Sequence, residues 1–186
     1  MARRKRTWLP GVFYHIVSRG NRRGLIFLFK DDFLTFFEIL GEVSKKAPFE
    51  LAAFCLMDNH YHLLLSSHDV HISKIMAMVN KKYADHFNKR YGLCGHVFEK
   101  RFFDEPIIGR KSLLEVSRYI HMNPVEAGMV KHPEEYLWSS YRLYKNVPGD
   151  PLPYVNTKPI LDFYEGETLE EKSKRYCNFV VNGWGM

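Results

Sequence analysis

His60 and His62 stand two residues apart at the head of the apolar run Leu63-Leu64-Leu65. Side chains two apart on a strand point to the same face, so both imidazoles can aim at one point while Tyr61 faces away. Two neutral imidazoles converging in this way begin a divalent-metal site. Much further along, Tyr119 and Asn123 are four apart, just before Pro124. On a helix they share a face, one turn from each other. That arrangement presents a phenol hydroxyl together with an amide oxygen. Tyrosine can form covalent intermediates in nucleophilic catalysis, and an amide oxygen can complete an oxygen-rich magnesium shell. Taken singly, each signal has a plainer meaning. A lone His-x-His pair is more often packing, and a tyrosine on an amphipathic helix usually fills a half-buried gap.

The elements that must position these residues follow from periodicity and punctuation. Gly11 to Ser18 reads as a first strand, followed by the turn-prone Arg19-Gly20-Asn21-Arg22. A helix capped by Asp31 or Asp32 runs to about Lys46 and buries Phe33, Phe36, Phe37, Leu40 and Val43. Phe49 to Met57 and His60 to Ser66 form a hairpin across the turn Asp58-Asn59. Ser73 to Tyr91 is a second helix with Ile75, Met76, Val79, Tyr83 and Phe87 inward, and Gly92 to Gly95 break it. Val97 to Ile108 is extended. The helix Lys111 to Asn123 follows and should stop at Pro124, because the residue before a proline is pushed out of the α region. The order strand, helix, strand, strand, helix, strand predicts an α+β, ferredoxin-like split βαβ fold: an antiparallel sheet with helices packed mainly on one face. Residues 1–145 form the expected catalytic domain. Residues 146–186 form an irregular, proline-rich tail in which Thr168 to Val181 can make one helix.

The segment Met57-Asp58-Asn59-His60-Tyr61-His62-Leu63-Leu64-Leu65, followed by Tyr119-Ile120-His121-Met122-Asn123-Pro124-Val125-Glu126-Ala127-Gly128, resembles the single-tyrosine HUH transposases. The branch it resembles is the one associated with repetitive extragenic palindromes. Tyr14-His15-Ile16-Val17-Ser18-Arg19-Gly20-Asn21-Arg22 and Trp138-Ser139-Ser140-Tyr141 resemble that branch too, so the likeness spans Pro10 to Tyr144. It implies that His60 and His62 are metal ligands, Tyr119 the nucleophile and Asn123 the third ligand. Classical insertion-sequence members carry glutamine at that last position, and Asp58 stands where the family commonly has proline. The resemblance further implies Mg²⁺ or Mn²⁺ as cofactor and single-stranded DNA with palindromic hairpins as partner. The strand would be cut and rejoined through a 5′-phosphotyrosine link.

Charge agrees with a nucleic-acid partner. Lysine and arginine total 27 against 21 aspartates and glutamates, a net charge of +6. The candidate DNA-tracking residues are Arg3, Arg4, Lys5, Arg6, Lys81, Lys82, Lys100, Arg101, Arg110 and Arg118. Cys55, Cys94 and Cys177 form no Cys-x-x-Cys pair, which suits a reducing cytoplasm and argues against a disulfide framework or a thiolate zinc site. No apolar run is long enough for a transmembrane helix. His121 lies on a different helical face from Tyr119 and reads as structural. His15 shows no partner spacing comparable to that of His60 and His62, whereas His68 and His71 could join that pair in a hydrolytic zinc site. Two rival functions stay open: a metal-dependent phosphodiesterase without a covalent intermediate, and a non-catalytic hairpin-binding protein. Monomer and homodimer are equally open.

Overall fold

The computed structural model describes residues 8–145 and 152–184. Four strands, β1 (Tyr14–Arg19), β2 (Glu50–Met57), β3 (His60–Ser66) and β4 (Phe103–Pro106), form one antiparallel sheet in the order β2-β3-β1-β4. Helix α1 (Lys30–Lys46) connects β1 to β2, and α2 (Ile72–Tyr91) connects β3 toward β4. This is the split βαβ order with the two central strands β3 and β1 side by side.

Alternation along the strands sorts the core into two layers. Ile16, Tyr61, Leu63 and Leu65 pack with Phe36, Leu40 and Val43 of α1 and with Ile75, Met76, Val79 and Tyr83 of α2. The expectation of helices mainly on one face holds for these two crossover helices. The opposite face is covered as well, by α3 (Arg110–Glu126) and α6 (Leu169–Asn182). There the small side chains Ala52, Ala53 and Cys55, all fully buried, leave room for Leu113, Leu114 and Ile120 of α3.

The short helices α4 (Tyr141–Tyr144) and α5 (Lys158–Leu161) tie the C-terminal segment to this second layer. Trp138 and Ser140, just before α4, and Tyr154, just before α5, cover the free edge of β2. The Leu56 N–H donates to Trp138 O at 2.9 Å, the Ser140 N–H to Phe54 O at 3.0 Å and the Leu51 N–H to Tyr154 O at 2.9 Å. An edge masked in this way cannot template pairing with another chain.

Strand β1 begins at Tyr14 rather than Gly11, and three further boundaries depart from the sequence reading by more than one residue. Helix α1 is entered at Phe29, not at an aspartate cap; Asp32 reaches back from the first turn and accepts the Leu28 and Phe29 N–H groups at 2.8 and 2.9 Å. The extended segment before α3 pairs as a strand only over Phe103–Pro106, with Phe98 bridged to Gly20. Helix α3 does not stop at Asn123 but runs on to Glu126, with Pro124 buried in its last turn. A proline there removes one donor, the one that would meet Ile120 O. The end is closed regardless, since the Ala127 N–H donates to Asn123 O and the Met129 N–H to Pro124 O, both at 2.9 Å. Among the described residues no helix is long and apolar enough to cross a membrane.

Candidate active site

The register of the central strands places Val17 opposite His62, Arg19 opposite His60 and His15 opposite Leu64. Paired residues share a face, so His15, Arg19, His60 and His62 all lie on the side covered by α3. The His60 and His62 rings are 4.9 Å apart, centroid to centroid. Tyr119 comes down on them from α3 with its ring edge-on, 5.5 Å from His62 at 87° and 5.8 Å from His15 at 76°. It stays 44% exposed although its helix neighbours Ile120 and His121 are fully buried. The strand and the helix thus bring His60, His62, Tyr119 and Asn123 together.

Each histidine is held through Nδ1. His60 Nδ1 lies 2.7 Å from Asn59 Oδ1. The Asn59 amide nitrogen donates to Arg23 O at 3.3 Å, which fixes the orientation of the amide and turns its oxygen toward His60. Because that oxygen can only accept, His60 carries its proton on Nδ1 and leaves an Nε2 lone pair. His62 Nδ1 lies 2.9 Å from His15 Nε2, and its own Nε2 is buried with no hydrogen-bond partner. The Asn123 amide nitrogen donates to Tyr119 O at 3.0 Å, and its side chain also hydrogen-bonds the His60 ring.

Burial keeps these rings neutral. It holds His15 down at about 4. It does the same for His60, with the Arg19 guanidinium adding to the effect and the hydrogen bond to Asn123 opposing it. His62 is pushed well below the usual histidine range by burial first, then by His60, His15 and Arg19. Neutral imidazoles are the form that ligates a metal. An orphaned ring nitrogen on His62, the neutral His60 ring and the Asn123 amide hydrogen-bonded to it fit a divalent ion of the magnesium or manganese kind. Among the described residues no cluster of three or more His, Cys, Asp or Glu side chains offers a rival metal site. That leaves His68 and His71 without a zinc centre to complete.

A cleft of about 650 Å³ opens beside Tyr119; its lining combines His15 and His62 with the cations Arg19, Arg23, Lys100 and Arg101 and the carboxylates Glu99 and Glu105. Arg23 reaches it from the loop Gly20–Gly24, in which Arg22 and Arg23 adopt left-handed backbone with φ of 53° and 59°. Such a conformation costs roughly 1–2 kcal/mol per non-glycine residue. Gly20 closes the loop because a Cβ there would sit 2.1 Å from Gly24 O.

A family model for transposases of the IS200-like kind matches residues 10–123, a span that takes in both histidines, Tyr119 and Asn123. The chain belongs to the IS200-like transposase family. A REP-associated tyrosine transposase of Escherichia coli K12 is 24% identical over 163 residues, covering 86% of this chain and 92% of the relative. The fold of this IS200-like transposase is similar to that of a REP-associated tyrosine transposase solved bound to a REP hairpin. The TM-score is 0.67 at 21% identity, over 84% of this chain and 92% of the other.

The basic residues singled out in this transposase do not share one location. Lys100 and Arg101 line the cleft. Lys81 and Lys82 stand on α2, across the sheet, paired with Asp85 at 2.6 Å and Glu42 at 2.8 Å. Arg110 sits 4.8 Å over the Phe163 ring, and Arg118 lies on α3 beside Tyr119 with its Nε buried. Arg3, Arg4, Lys5 and Arg6 lie outside the described residues. Sequence reasoning missed His15, Arg19 and Arg23. Strand alternation groups His15 with Arg19, but only the pairing of β1 with β3 reveals that they face His60 and His62.

Proposed function

We propose that this transposase cleaves and rejoins single-stranded hairpin DNA, using Tyr119 as a covalent nucleophile and a divalent ion held by His60, His62 and Asn123. The observation that carries the reading is the edge-on seating of Tyr119 over His62, whose buried Nε2 has no partner. The likeness to a relative solved with a REP hairpin supports the choice of DNA.

Bound there, Mg²⁺ or Mn²⁺ supplies Lewis-acid polarisation of a phosphate oxygen. Arg19, Arg23, Lys100 and Arg101 hold the strand by its phosphates along the cleft. The Tyr119 hydroxyl attacks the scissile phosphorus, its proton passing to solvent in the open cleft. The Tyr119 Oη–P bond forms as the P–O3′ bond breaks, and the departing 3′ oxygen takes up a proton. The phosphodiester energy is kept in the phosphotyrosine link, so a 3′-hydroxyl can reverse the step and join strands without ATP. The hydrogen bond donated by the Asn123 amide nitrogen to Tyr119 O links the third ligand to the backbone of the nucleophile.

Incubation with single-stranded hairpin DNA and Mn²⁺, followed by a denaturing gel, tests the proposal. A covalent protein–DNA band is expected from the wild type and none from Tyr119→Phe, which keeps the ring and loses one oxygen. Cleavage without any adduct would contradict it and point to direct hydrolysis by water.

A further inference from the structure

We propose that His15 is a positioning residue: it holds His62 as the tautomer protonated on Nδ1, leaving Nε2 free for the ion. The inference rests on the metal reading of the site given above.

The contact has the geometry of a hydrogen bond lying in the planes of both rings. The nitrogens are 2.9 Å apart, the ring planes differ by only 18° and the centroids are 5.2 Å apart. Two imidazoles stacked face to face would not bring Nε2 of one against Nδ1 of the other at that centroid separation. One nitrogen must donate and the other accept. If His15 donated, the proton of His62 would sit on Nε2, the nitrogen buried without a partner. An orphaned buried N–H is rarer than an orphaned acceptor. The arrangement that leaves a lone pair there has His62 donating from Nδ1 to His15 Nε2.

His60 repeats the pattern with a different partner, since Asn59 Oδ1 takes its Nδ1 proton. Both rings thus have Nδ1 engaged by a neighbour. Such outer partners fix ring orientation and tautomer in metal sites, and their loss typically costs 10–100-fold in metal affinity. His15 itself is anchored on the central strand β1, opposite Leu64, and is only 9% exposed. Rigid placement is what this role requires.

Two measurements on the full chain test the assignment. In the metal-free wild type, ¹⁵N NMR of the histidine rings should show His62 protonated on Nδ1, and His15→Phe should lose that signature. Mn²⁺ binding, followed by the EPR signal of the free ion without DNA, should weaken about 10–100-fold in His15→Phe. His15→Gln, which can offer an amide oxygen near the position of Nε2, should recover most of it. A wild-type His62 protonated on Nε2 would overturn the proposal. So would a phenylalanine variant that binds Mn²⁺ as tightly as wild type, or a glutamine variant no better than phenylalanine. If the wild type takes up no Mn²⁺, the metal reading of the site fails, and the proposal falls with it even where the NMR signature is present. Should His15→Phe not fold, the wild-type tautomer and the glutamine variant still decide.

Discussion

The two histidines act in this account through their lone pairs, and burial tunes both rings to the neutral form that carries one. Replacing His60 or His62 by alanine should abolish cleavage while hairpin binding survives, because phosphate contacts elsewhere supply most of the affinity. A gel-shift and cleavage assay on the same DNA separates the two effects. The same tuning makes stability depend on pH. His15 and His60 are held at about 4 and the fully buried His121 at about 3, mainly by burial. An unfolded histidine titrates near 6.5. Between the folded and unfolded values the unfolded chain binds more protons, so stability is complete above about pH 6.5 and falls as pH drops toward 4. Urea midpoints should therefore decrease steadily over that window. A midpoint unchanged down to about pH 4 would contradict the burial of these rings.

At the scale of elements, the position of α3 decides whether Tyr119 meets the histidines. The far side of that helix is pinned by polar contacts around His121. His121 Nε2 lies 2.7 Å from Ser140 Oγ, and its Nδ1 lies 2.7 Å from the hydroxyl of Tyr176 on α6. Ser140 Oγ also accepts the Phe54 N–H at 2.8 Å, linking α3 to β2. Ser140→Ala leaves buried groups on both elements without a partner and should lower stability by about 1–3 kcal/mol, read as a denaturant midpoint shift. A midpoint unchanged by that substitution would mean that the network does not anchor the helix.

Much of this scaffold was legible in the sequence. Strand β3 begins and ends where the alternation predicts, and the inward stripe of α2 matches its 3.6-residue period. Tyr119 and Asn123 share a face because four residues make a turn. What the sequence did not reveal depends on contacts between distant segments. The pairing of His15 with His62 needs the register of β1 on β3. The passage of α3 through Pro124 needs the closing hydrogen bonds beyond it. The masking of the β2 edge needs the C-terminal segment in place.

For the whole molecule, the basic residues divide between the cleft and the far side of the sheet. Lys100 and Arg101 line the same cleft as Tyr119, whereas Lys81 is spent on Asp85 across the sheet. Lys100→Ala should weaken hairpin binding and reduce the slope of affinity against salt by about one, and Lys81→Ala should change neither. Equal effects of the two substitutions would move the DNA path off this cleft.

The central claim, that Tyr119 becomes joined to DNA, can be read directly. Trypsin cutting after Arg118 and Lys131 releases a peptide from Tyr119 to Lys131 in which Tyr119 is the sole tyrosine. After reaction with single-stranded hairpin DNA and Mn²⁺, nuclease trimming and mass spectrometry should find the residual 5′-phosphorylated nucleotide on that peptide. A nucleotide found on any other tyrosine-containing peptide, or cleaved DNA with every peptide unmodified, would contradict the account.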